Sequence, residues 1–528
     1  MQEHQWISRY WQEPLLAVLL VLFYGAYLAP RCWRYVYLTW DSLRDLIAAQ
    51  HILAGGGWFS DPMLLGHSCW YPPLHALFCA AAVSIFPIDI FRFYALAPVL
   101  LNWIFPAAFY HLARRLLSGN RTAAFWATLA LAAMPWAVTY VLASPTVMAH
   151  AAGFAILLFI FHLHLLEKYS QKKNLIFSLC TGLMGLYHPP TFLILTAVIS
   201  IHWLIQAAQS KRKPFLRRWL FFLTLSLTVC SPYWLPNLAQ PLRNPAPLAY
   251  ISPGLTRHEL FLPGASWLLS LPLLFLAVLG VVSLLRRWKE SPVQFILALL
   301  AVSLIGQAPG YLKILLEKRF TALDASIGDK IPILVPHEFQ FYFQIALCLC
   351  LGIGLAQLQA SQGARKLIYW AAAIGFAASL TINLIHLPQR CQVFLWPYRL
   401  SGEWNDPVKA ILAHTAVNDA IAAPNDETSF FIIGVRTGRK CLLSYPTHTN
   451  TRADLPSRRQ AREILFHSYS TAEVLQTAER WRVQFILCKI KLVSSDRIAF
   501  FREIFPSVYD DGVVSIFRVE KKGKSLDS

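Results

Sequence analysis

The chain has 528 residues, of which 56% are hydrophobic and only 14% are charged. Soluble globular domains have about one quarter charged residues, so this composition excludes one large soluble core. Apolar runs of membrane-spanning length recur along the first three quarters of the chain, which predicts an integral membrane protein. The net charge of +19 does not indicate nucleic-acid binding. The Lys and Arg residues stand in short clusters between apolar runs, as topology signals do.

Apolar segments alternate with short polar connections up to about residue 390. The first should remain as a span, because no small-residue cleavage site follows it. The segments are about 14–30, 74–87, 93–113, 122–140, 146–166, 174–188, 191–208, 215–235, 264–285, 292–308, 338–358 and 367–386. The positive-inside rule places five basic clusters in the cytoplasm. These clusters are Arg114-Arg115 with Arg121, Lys168 with Lys172-Lys173, Lys211–Lys213 with Arg217-Arg218, Arg286-Arg287 with Lys289, and Arg365-Lys366.

The charge pattern leaves one conflict in the topology. With a cytoplasmic N-terminus, the first loop, about residues 31–73, lies outside, and an odd number of crossings must precede Arg114. The segment 74–87 is short for a membrane core of about 30 Å at about 1.5 Å per residue. We therefore expect it to be a re-entrant or tilted half-span beside about 11 crossings. The alternative is 12 crossings with the N-terminus outside, which places the first loop in the cytoplasm.

The composition changes after about residue 390. Short strand-like runs alternate there with helix-like stretches, which predicts a small soluble α/β domain over 391–528, beside a membrane domain over 1–390. The predicted strands are Ala420–Ala423, Phe430–Ile433, Cys441–Ser444, Val483–Cys488 and Val513–Val519. We expect this domain outside the cytoplasm, where disulfides are permitted, although spacing assigns no pair among Cys391, Cys441 and Cys488.

The first loop is the main polar interruption near the start of the chain. It contains Asp41, Asp45 and Asp61, although the whole chain has only 28 acidic residues. Ser42 and Asp45 have the spacing of a capping box, with Ser42 as the N-cap of a helix that ends at the glycines 55–57. Apolar residues recur at helical spacing between them. The sequence therefore predicts a short amphipathic helix at the membrane surface.

Asp41 is the strongest candidate for chemistry in this loop. Ionisable groups at a membrane are costly and therefore informative, and the predicted helix already has Asp45 for capping. The two carboxylates are one turn apart and are able to face the same side. Asp61 precedes a proline, which favours a turn. Three His residues near the three Asp residues permit a divalent metal, but no spacing signature supports one. No metal ligand is assigned, and a divalent cofactor remains an open alternative.

The order of these features resembles the GT-C glycosyltransferases, and within them the dolichyl-phosphate-mannose mannosyltransferases and the aminoarabinose transferases. The likeness covers about residues 10–390. It rests on the acidic first loop, on Tyr71-Pro72-Pro73-Leu74-His75 opening the next apolar segment, and on Ala113-Arg114-Arg115-Leu116-Leu117. Two departures stand out. The second outer loop, 142–146, has no acid and only His150 nearby, and Glu338 stands in the neighbourhood where relatives carry an arginine.

The resemblance implies a polytopic, mainly α-helical enzyme of the bacterial cytoplasmic membrane. It would transfer a sugar, with inversion, from a polyprenyl phosphate to an extracytoplasmic glycan, lipid or protein acceptor. Asp41 would be the general base, and Asp45, His67, Tyr71 and Glu338 would contact substrate. Cations of the outer loops would hold the phosphate. Arg319 and His337 are preferred, and Arg243, Arg257, Lys313 and Lys318 are the alternatives.

Two other function classes stay open at this point. One is a transporter or flippase of a lipid-linked saccharide. Such a protein should show internal repeats and mid-span ionisable residues, and neither is evident here. The other is a non-catalytic scaffold with the same fold. The absence of an acid in the second outer loop is the reason for this alternative.

Overall fold

The structure, a computed structural model, is mainly helical. It describes residues 11–34, 40–69, 71–134, 141–210, 213–243, 267–319, 336–359, 363–392, 404–444 and 453–520. Each predicted apolar segment contains a helix. Up to residue 392 these are α1 Gln12–Val21, a π-helical turn Leu22–Leu28, α2 Ala29–Arg34, α3 Trp40–Leu53, α4 Leu74–Ile85, α5 Ile90–Leu101, α6 Ile104–Leu116, α7 Arg121–Ala132, α8 Val147–Glu167, α9 Gln171–Tyr187, α10 Pro189–Ser210, α11 Lys213–Arg243, α12 Trp267–Arg286, α13 Ser291–Arg319, α14 Pro336–Gln359 and α15 Ala364–Gln392.

Seven helical stretches in the described part of the chain are long and apolar enough to cross a membrane. They are Gln12–Trp33, Ile90–Leu116, Val147–Glu167, Pro189–Gln209, Ser291–Ala308, Phe339–Gln359 and Lys366–His386. This confirms the prediction of a multi-pass helical membrane protein. Helix α4 has 12 residues and is therefore only about 18 Å long at about 1.5 Å per residue, well short of a bilayer core. Its length fits the half-span expected for the segment 74–87.

The contacts divide the chain into two compact units that are discontinuous in sequence. One contains the described residues of Met1–Tyr37, Ala95–Pro236 and Ile251–Val393, and we call it the helical unit. The other contains those of Leu38–Tyr94, Asn237–Tyr250 and Phe394–Ser528, and we call it the loop–sheet unit. The first loop and the C-terminal domain therefore belong to the same compact body, although more than 300 residues separate them.

Helix α14 lies at the centre of the helical unit, packed against α7, α12 and α13. Two glycines on α14 make this close packing possible. A Cβ added to Gly352 would stand 2.3 Å from the carbonyl oxygen of Ala123 on α7, and one added to Gly354 would stand 2.4 Å from that of Leu276 on α12. Small residues at such contacts let helix backbones approach, as membrane helices require.

The C-terminal part of the chain is a mixed α/β domain, as predicted. Its sheet has five strands in the order β2-β1-β3-β5-β4, in which β2, β1 and β3 are parallel and β5 and β4 are antiparallel to their neighbours. The strands are β1 Ala420–Ala422, β2 Lys440–Cys441, β3 Val483–Lys489, β4 Ser507–Asp510 and β5 Val514–Arg518. The helices are α16 Asn405–His414, a π-helix Thr428–Thr437, α17 Leu455–His467, α18 Thr471–Arg480 and α19 Ser495–Ile504.

Both faces of the sheet are covered, and β3 shows why. Its side chains alternate, so Ile486 and Cys488 pack against α17, α18 and α19, while Phe485 and Leu487 face the side of α16 and the π-helix. A central strand buried on both faces is almost continuously apolar, which explains why β3 was predicted from its sequence. Cys441 and Cys488 are buried free thiols, and the side chain of Cys391 lies outside the described part.

One predicted strand is wrong. The segment 430–433 lies within the π-helix Thr428–Thr437. Its run of Phe, Ile and Val residues is buried on all sides, so it carries no helical periodicity and resembles a strand in sequence. Asn425 accepts a hydrogen bond from the backbone N–H of Thr428 at 2.8 Å, as a residue at a helix N-terminus does. Side-chain capping therefore outweighs β propensity here.

Candidate active site in the first loop

The helix of the first loop begins earlier than predicted. It starts at Trp40, so Asp41 lies in its first turn and Ser42 lies inside the helix instead of capping it. The predicted C-terminus is confirmed: Gly55 has φ +88°, and the N–H of Gly56 bonds to the carbonyl of His51 at 2.8 Å. This is a glycine-terminated helix end that only a residue without a Cβ enters at low cost.

The sequence predicts that one face of this helix is exposed to water, but polar residues of that helix are buried. Arg44, Asp45 and His51 are buried, as are Leu46 and Ile47. α3 packs against α4 and against the π-helix of the C-terminal domain. The polar flank expected to face water is therefore enclosed by protein, because residues far along the chain cover it.

Arg44 organises the site, and the sequence analysis missed it. Its Nη1 donates to Oδ1 of Asp41 at 3.0 Å, and its Nη2 and Nε donate to Oδ1 of Asp45 at 2.8 and 3.1 Å. The guanidinium also lies over the ring of Tyr71, with Cζ 3.6 Å from the ring centroid, a cation–π contact. Asp41 and Arg44 are three residues apart, which is a recognised spacing for ion pairs on a helix. This spacing is the feature of the sequence that could have identified Arg44.

The two carboxylates differ in accessibility. The side chain of Asp45 is 3% exposed, whereas that of Asp41 is 53% exposed. Burial would lower the pKa of the Arg44 guanidinium, but Asp45, Tyr71 and Asp41 oppose this and the net shift of its pKa is upward. Arg44 therefore stays charged. Asp45 is held by a buried ion pair, which corrects its assignment as a capping residue.

A small cavity lies against this ion-pair group. It has room for about one water molecule, and Arg44, Asp45, Pro62, Met63, Tyr71 and His75 are among its lining residues. His75, on the first turn of α4, places Nε2 3.9 Å from Oδ2 of Asp45. Pro73 is the N-cap residue of α4, and this start of the helix places His75 in its first turn.

Asp61 and His67 are joined by a backbone hydrogen bond, from the N–H of Asp61 to the carbonyl oxygen of His67 at 2.8 Å. Oδ1 of Asp61 accepts hydrogen bonds from the N–H groups of Met63 and Leu64, each at 2.8 Å, so the turn expected at Asp61 is present. His67 is half-buried. Burial, and then the charges of Arg458 and Lys440, lower its pKa. The structure therefore places His67 beside two C-terminal cations and does not bring it to the cavity.

The other predicted substrate contacts lie elsewhere in the chain. Arg319 is the last residue of α13, and His337 and Glu338 are in the first turn of α14. Their side chains are outside what the structure describes, as is the whole of Arg257. The assignments of Arg319, His337 and Glu338 as substrate contacts therefore stay predictions.

A divalent metal does not fit the pair of carboxylates. Arg44 bonds to both Asp41 and Asp45 and so takes the position from which a cation would bridge them. Within the described ranges, no three His, Cys, Asp or Glu side chains come together as a set of metal ligands.

Comparison with known proteins supports the fold. No family profile matches the sequence, and no curated protein matches it either. Among solved structures, the oligosaccharyltransferase of Archaeoglobus fulgidus, carrying a tethered acceptor peptide with the NVT sequon, is 12% identical, with a TM-score of 0.52 over 99% of this chain and 76% of that one. ArnT from Cupriavidus metallidurans, bound to undecaprenyl phosphate, is 14% identical, with a TM-score of 0.50 over 96% and 97%.

The arabinofuranosyltransferase AftD from Mycobacteria is a third structural neighbour. It is 16% identical, with a TM-score of 0.58 over 97% of this chain, but the match covers only 40% of AftD. At such identities the likeness establishes the fold and nothing finer. The chain has the GT-C fold, as its first-loop motifs predict.

Proposed function

We propose that this GT-C-fold chain is a membrane glycosyltransferase that moves a sugar from a polyprenyl phosphate to an extracytoplasmic acceptor, with Asp41 as general base. One observation carries the proposal. Two carboxylates share the guanidinium of Arg44, and Asp41 is the one that solvent reaches, at 53% against 3% exposed. A group that takes a proton from an incoming hydroxyl has to be accessible.

The donor class is inferred from the structural neighbours. ArnT was solved with undecaprenyl phosphate, and the archaeal oligosaccharyltransferase AglB was solved with a dolichol-phosphate. We extend this to a polyprenyl-phosphate-linked sugar for the present chain. The acceptor is left at the level of a glycan, lipid or protein nucleophile.

The proposed step forms one bond and breaks one. The acceptor oxygen attacks the anomeric carbon of the sugar, and the bond from that carbon to the phosphate oxygen breaks. The electron pair leaves with the polyprenyl phosphate, and the acceptor proton goes to the Asp41 carboxylate. Attack opposite the leaving group inverts the anomeric centre. Positioned general bases contribute on the order of 10²–10⁴-fold to such steps.

Arg44 has a positioning role in this mechanism. Its guanidinium is fixed by the hydrogen bonds to Asp45 and by the contact with the Tyr71 ring, so its Nη1 holds the Asp41 carboxylate in one orientation. Two carboxylates already offset its charge, so it is a poor ligand for the anionic donor. We therefore keep Arg319 and His337 as the proposed phosphate ligands, and Glu338 as a further proposed substrate contact. Asp45, Tyr71 and His67 remain proposed substrate contacts, of which Asp45 and Tyr71 line the cavity.

We further propose that the chain lies in a bacterial cytoplasmic membrane, with a cytoplasmic N-terminus and both the first loop and the C-terminal domain outside. The five basic clusters support this orientation. A reporter fused after Val393 tests it. We expect periplasmic activity of the reporter, and cytoplasmic activity there would place the proposed site on the wrong side of the membrane.

The decisive experiment is glycosyl transfer by the purified full chain with a panel of polyprenyl-phosphate sugars, comparing wild type, Asp41→Asn and Asp406→Asn. Asp406 is a matched control, because it is also an exposed carboxylate paired three residues along a helix, with Lys409 at 2.8 Å. We expect Asp41→Asn to lose at least 100-fold in turnover and Asp406→Asn to keep it. Equal turnover of Asp41→Asn and wild type would refute the role of Asp41.

The same preparation separates the rival classes. A flippase would move a labelled lipid-linked saccharide across proteoliposomes without cleaving it, and Asp41→Asn would have no selective effect on that movement. A scaffold would neither transfer nor move the lipid with any donor. Either result would refute the transferase proposal.

A further inference from the structure

A segment of the first loop lies along the edge of the C-terminal sheet. β2 is the outermost strand of that sheet, and Leu64 forms a parallel bridge with Cys441. The N–H of Cys441 donates to the carbonyl oxygen of Met63 at 2.6 Å. Residues 61–65 thus cover a strand edge whose N–H and carbonyl groups would otherwise be open to pairing.

Two buried cations hold the same segment from the side of the C-terminal domain. Nζ of Lys440 donates to the carbonyl oxygen of Asp61 at 2.7 Å, and Nη2 of Arg458 donates to that of Leu65 at 3.1 Å. With the bond to Met63, the carbonyls of residues 61, 63 and 65 are all bound. All three bonds come from residues of the C-terminal domain.

The cations themselves are well fixed. Lys440 is 2% and Arg458 is 5% exposed. Arg458 also donates from Nη1 to the carbonyl of Leu442 at 2.8 Å and lies over the ring of Trp481, with its Cζ 4.9 Å from the centroid. Burial lowers the pKa of both groups, and the charge of Asp61 opposes this. Buried cations need such compensation, and Asp61 is fully buried beside them.

The same segment forms a wall of the candidate active site. Pro62 and Met63 line the cavity together with Arg44 and Asp45. α3 has its own tie to the C-terminal domain, because Nδ1 of His51 lies 3.0 Å from the carbonyl oxygen of Gly438. A Cβ on Gly438 would stand 2.8 Å from the backbone of Gln50 and His51, so this contact requires glycine. The C-terminal domain therefore contacts both the helix that carries Asp41 and the cavity wall formed by Pro62 and Met63.

We infer that Lys440 and Arg458 are positioning residues for the first-loop site: they clamp residues 61–65 to the C-terminal sheet and thereby set the cavity wall beside Arg44 and Asp45. This inference rests on the proposed function for its catalytic consequence. The clamp is itself a structural statement and is testable without turnover. It makes the C-terminal domain part of the active-site scaffold instead of a separable appendage.

The test uses the full-length chain with Lys440→Met, and with Lys409→Met as the control. Lys409 is an exposed lysine of the same domain, ion-paired with Asp406. Amide hydrogen exchange reports the clamp. In Lys440→Met we expect the amides of residues 63–65 and of 42–46 to exchange at least tenfold faster, with the amides of β3 and β5 unchanged. Lys409→Met should match wild type throughout.

Turnover provides the second measurement. A misplaced cavity wall should lower the transfer rate of Lys440→Met about 10- to 100-fold, without a matching loss in thermal stability. Arg458→Lys keeps the charge but can reach only one of the two carbonyls, so its transfer rate should lie between those of wild type and Arg458→Met. A purely structural residue would instead give losses that follow thermal stability across all these variants.

The outcomes separate the two proposals. Unchanged exchange at 63–65 and 42–46 in Lys440→Met would overturn the clamp, and faster exchange at full activity would overturn the positioning role of Lys440. If wild type transfers no sugar from any donor, the proposed function fails, and exchange at residues 42–46 still decides whether the clamp sets the site. If Lys440→Met fails to fold, hydrogen exchange and turnover of Arg458→Lys and Arg458→Met test the same clamp.

Discussion

Asp41 and Asp45 bind one guanidinium, and their replacement should have opposite consequences. Asp45→Asn removes the buried partner of Arg44, whose side chain is only 9% exposed. Breaking a buried pair from one side costs up to about 3–5 kcal/mol, and only the exposed Asp41 then remains to pair with Arg44. Against a typical total stability of about 5–15 kcal/mol, this is a severe loss. We therefore expect local unfolding of α3 to become much easier in Asp45→Asn.

Asp41→Asn should leave that stability nearly unchanged. Its carboxylate is 53% exposed, and exposed ion pairs contribute about 0.2–1 kcal/mol after solvent screening. Turnover should nevertheless fall by about 10²–10⁴-fold, because the proton acceptor is lost. The contrast is therefore a stable, inactive Asp41→Asn beside a destabilised Asp45→Asn.

The assay pairs amide hydrogen exchange of α3 with glycosyl transfer, both in the same detergent or nanodisc preparation. Double replacement of Asp45 and Arg44 by an apolar pair such as Leu and Met is the control, since removing both charges recovers much of the stability. The reasoning would be refuted if Asp45→Asn exchanged like wild type and lost turnover, because Asp45 would then be the reacting carboxylate. Full turnover of Asp41→Asn would refute it equally.

Three further predictions concern other parts of the same architecture. Tyr71→Phe should keep the contact with Arg44, whereas Tyr71→Leu should weaken α3 by about 0.5–2 kcal/mol, as read by exchange at Arg44; equal effects would contradict a cation–π role. Burial, with Lys440 and Arg439, lowers the pKa of His51 from 6.5 to about 4. The unfolded state therefore binds the proton first as pH falls below 6.5, and stability should drop by about 2 kcal/mol between pH 6.5 and 5. Thermal unfolding measures this drop in stability, and in His51→Gln the part that is due to His51 should disappear. Gly354→Leu should disrupt the helical unit far more than Gly375→Leu, since a Cβ at position 375 meets nothing within 4 Å, and equal thermal stability of the two would contradict close packing at α12.

The membrane-embedded part of the fold was largely predictable from the sequence. Lipid forces every backbone polar group into intrahelical bonds, so each long apolar run had to become a helix, whatever its neighbours. The glycines at 55–57 ended α3 for an equally local reason. The α/β character of the C-terminal domain followed from strands such as Val483–Lys489, whose buried faces leave a continuous apolar pattern.

Prediction failed where burial came from distant residues. The segment 430–433 resembled a strand because its surroundings on all sides are apolar. Asp45 was predicted to be a capping residue because capping-box spacing does not reveal its buried ion pair with Arg44. Lys440 and Arg458 carried no signal at all. Each acts on a carbonyl of the first loop 379 and 393 residues away, and main-chain acceptors leave no trace in side-chain patterns.

The sequence by itself determined that this is a helical membrane protein of GT-C type with an acidic first loop, because hydropathy and short motifs are local properties. Tertiary structure alone decided which acid is accessible, which guanidinium it pairs with and which domain contacts the cavity wall beside Arg44 and Asp45. Those depend on a guanidinium shared by two carboxylates and on buried cations from the C-terminal domain. Such contacts are set by packing between segments that are remote in the chain.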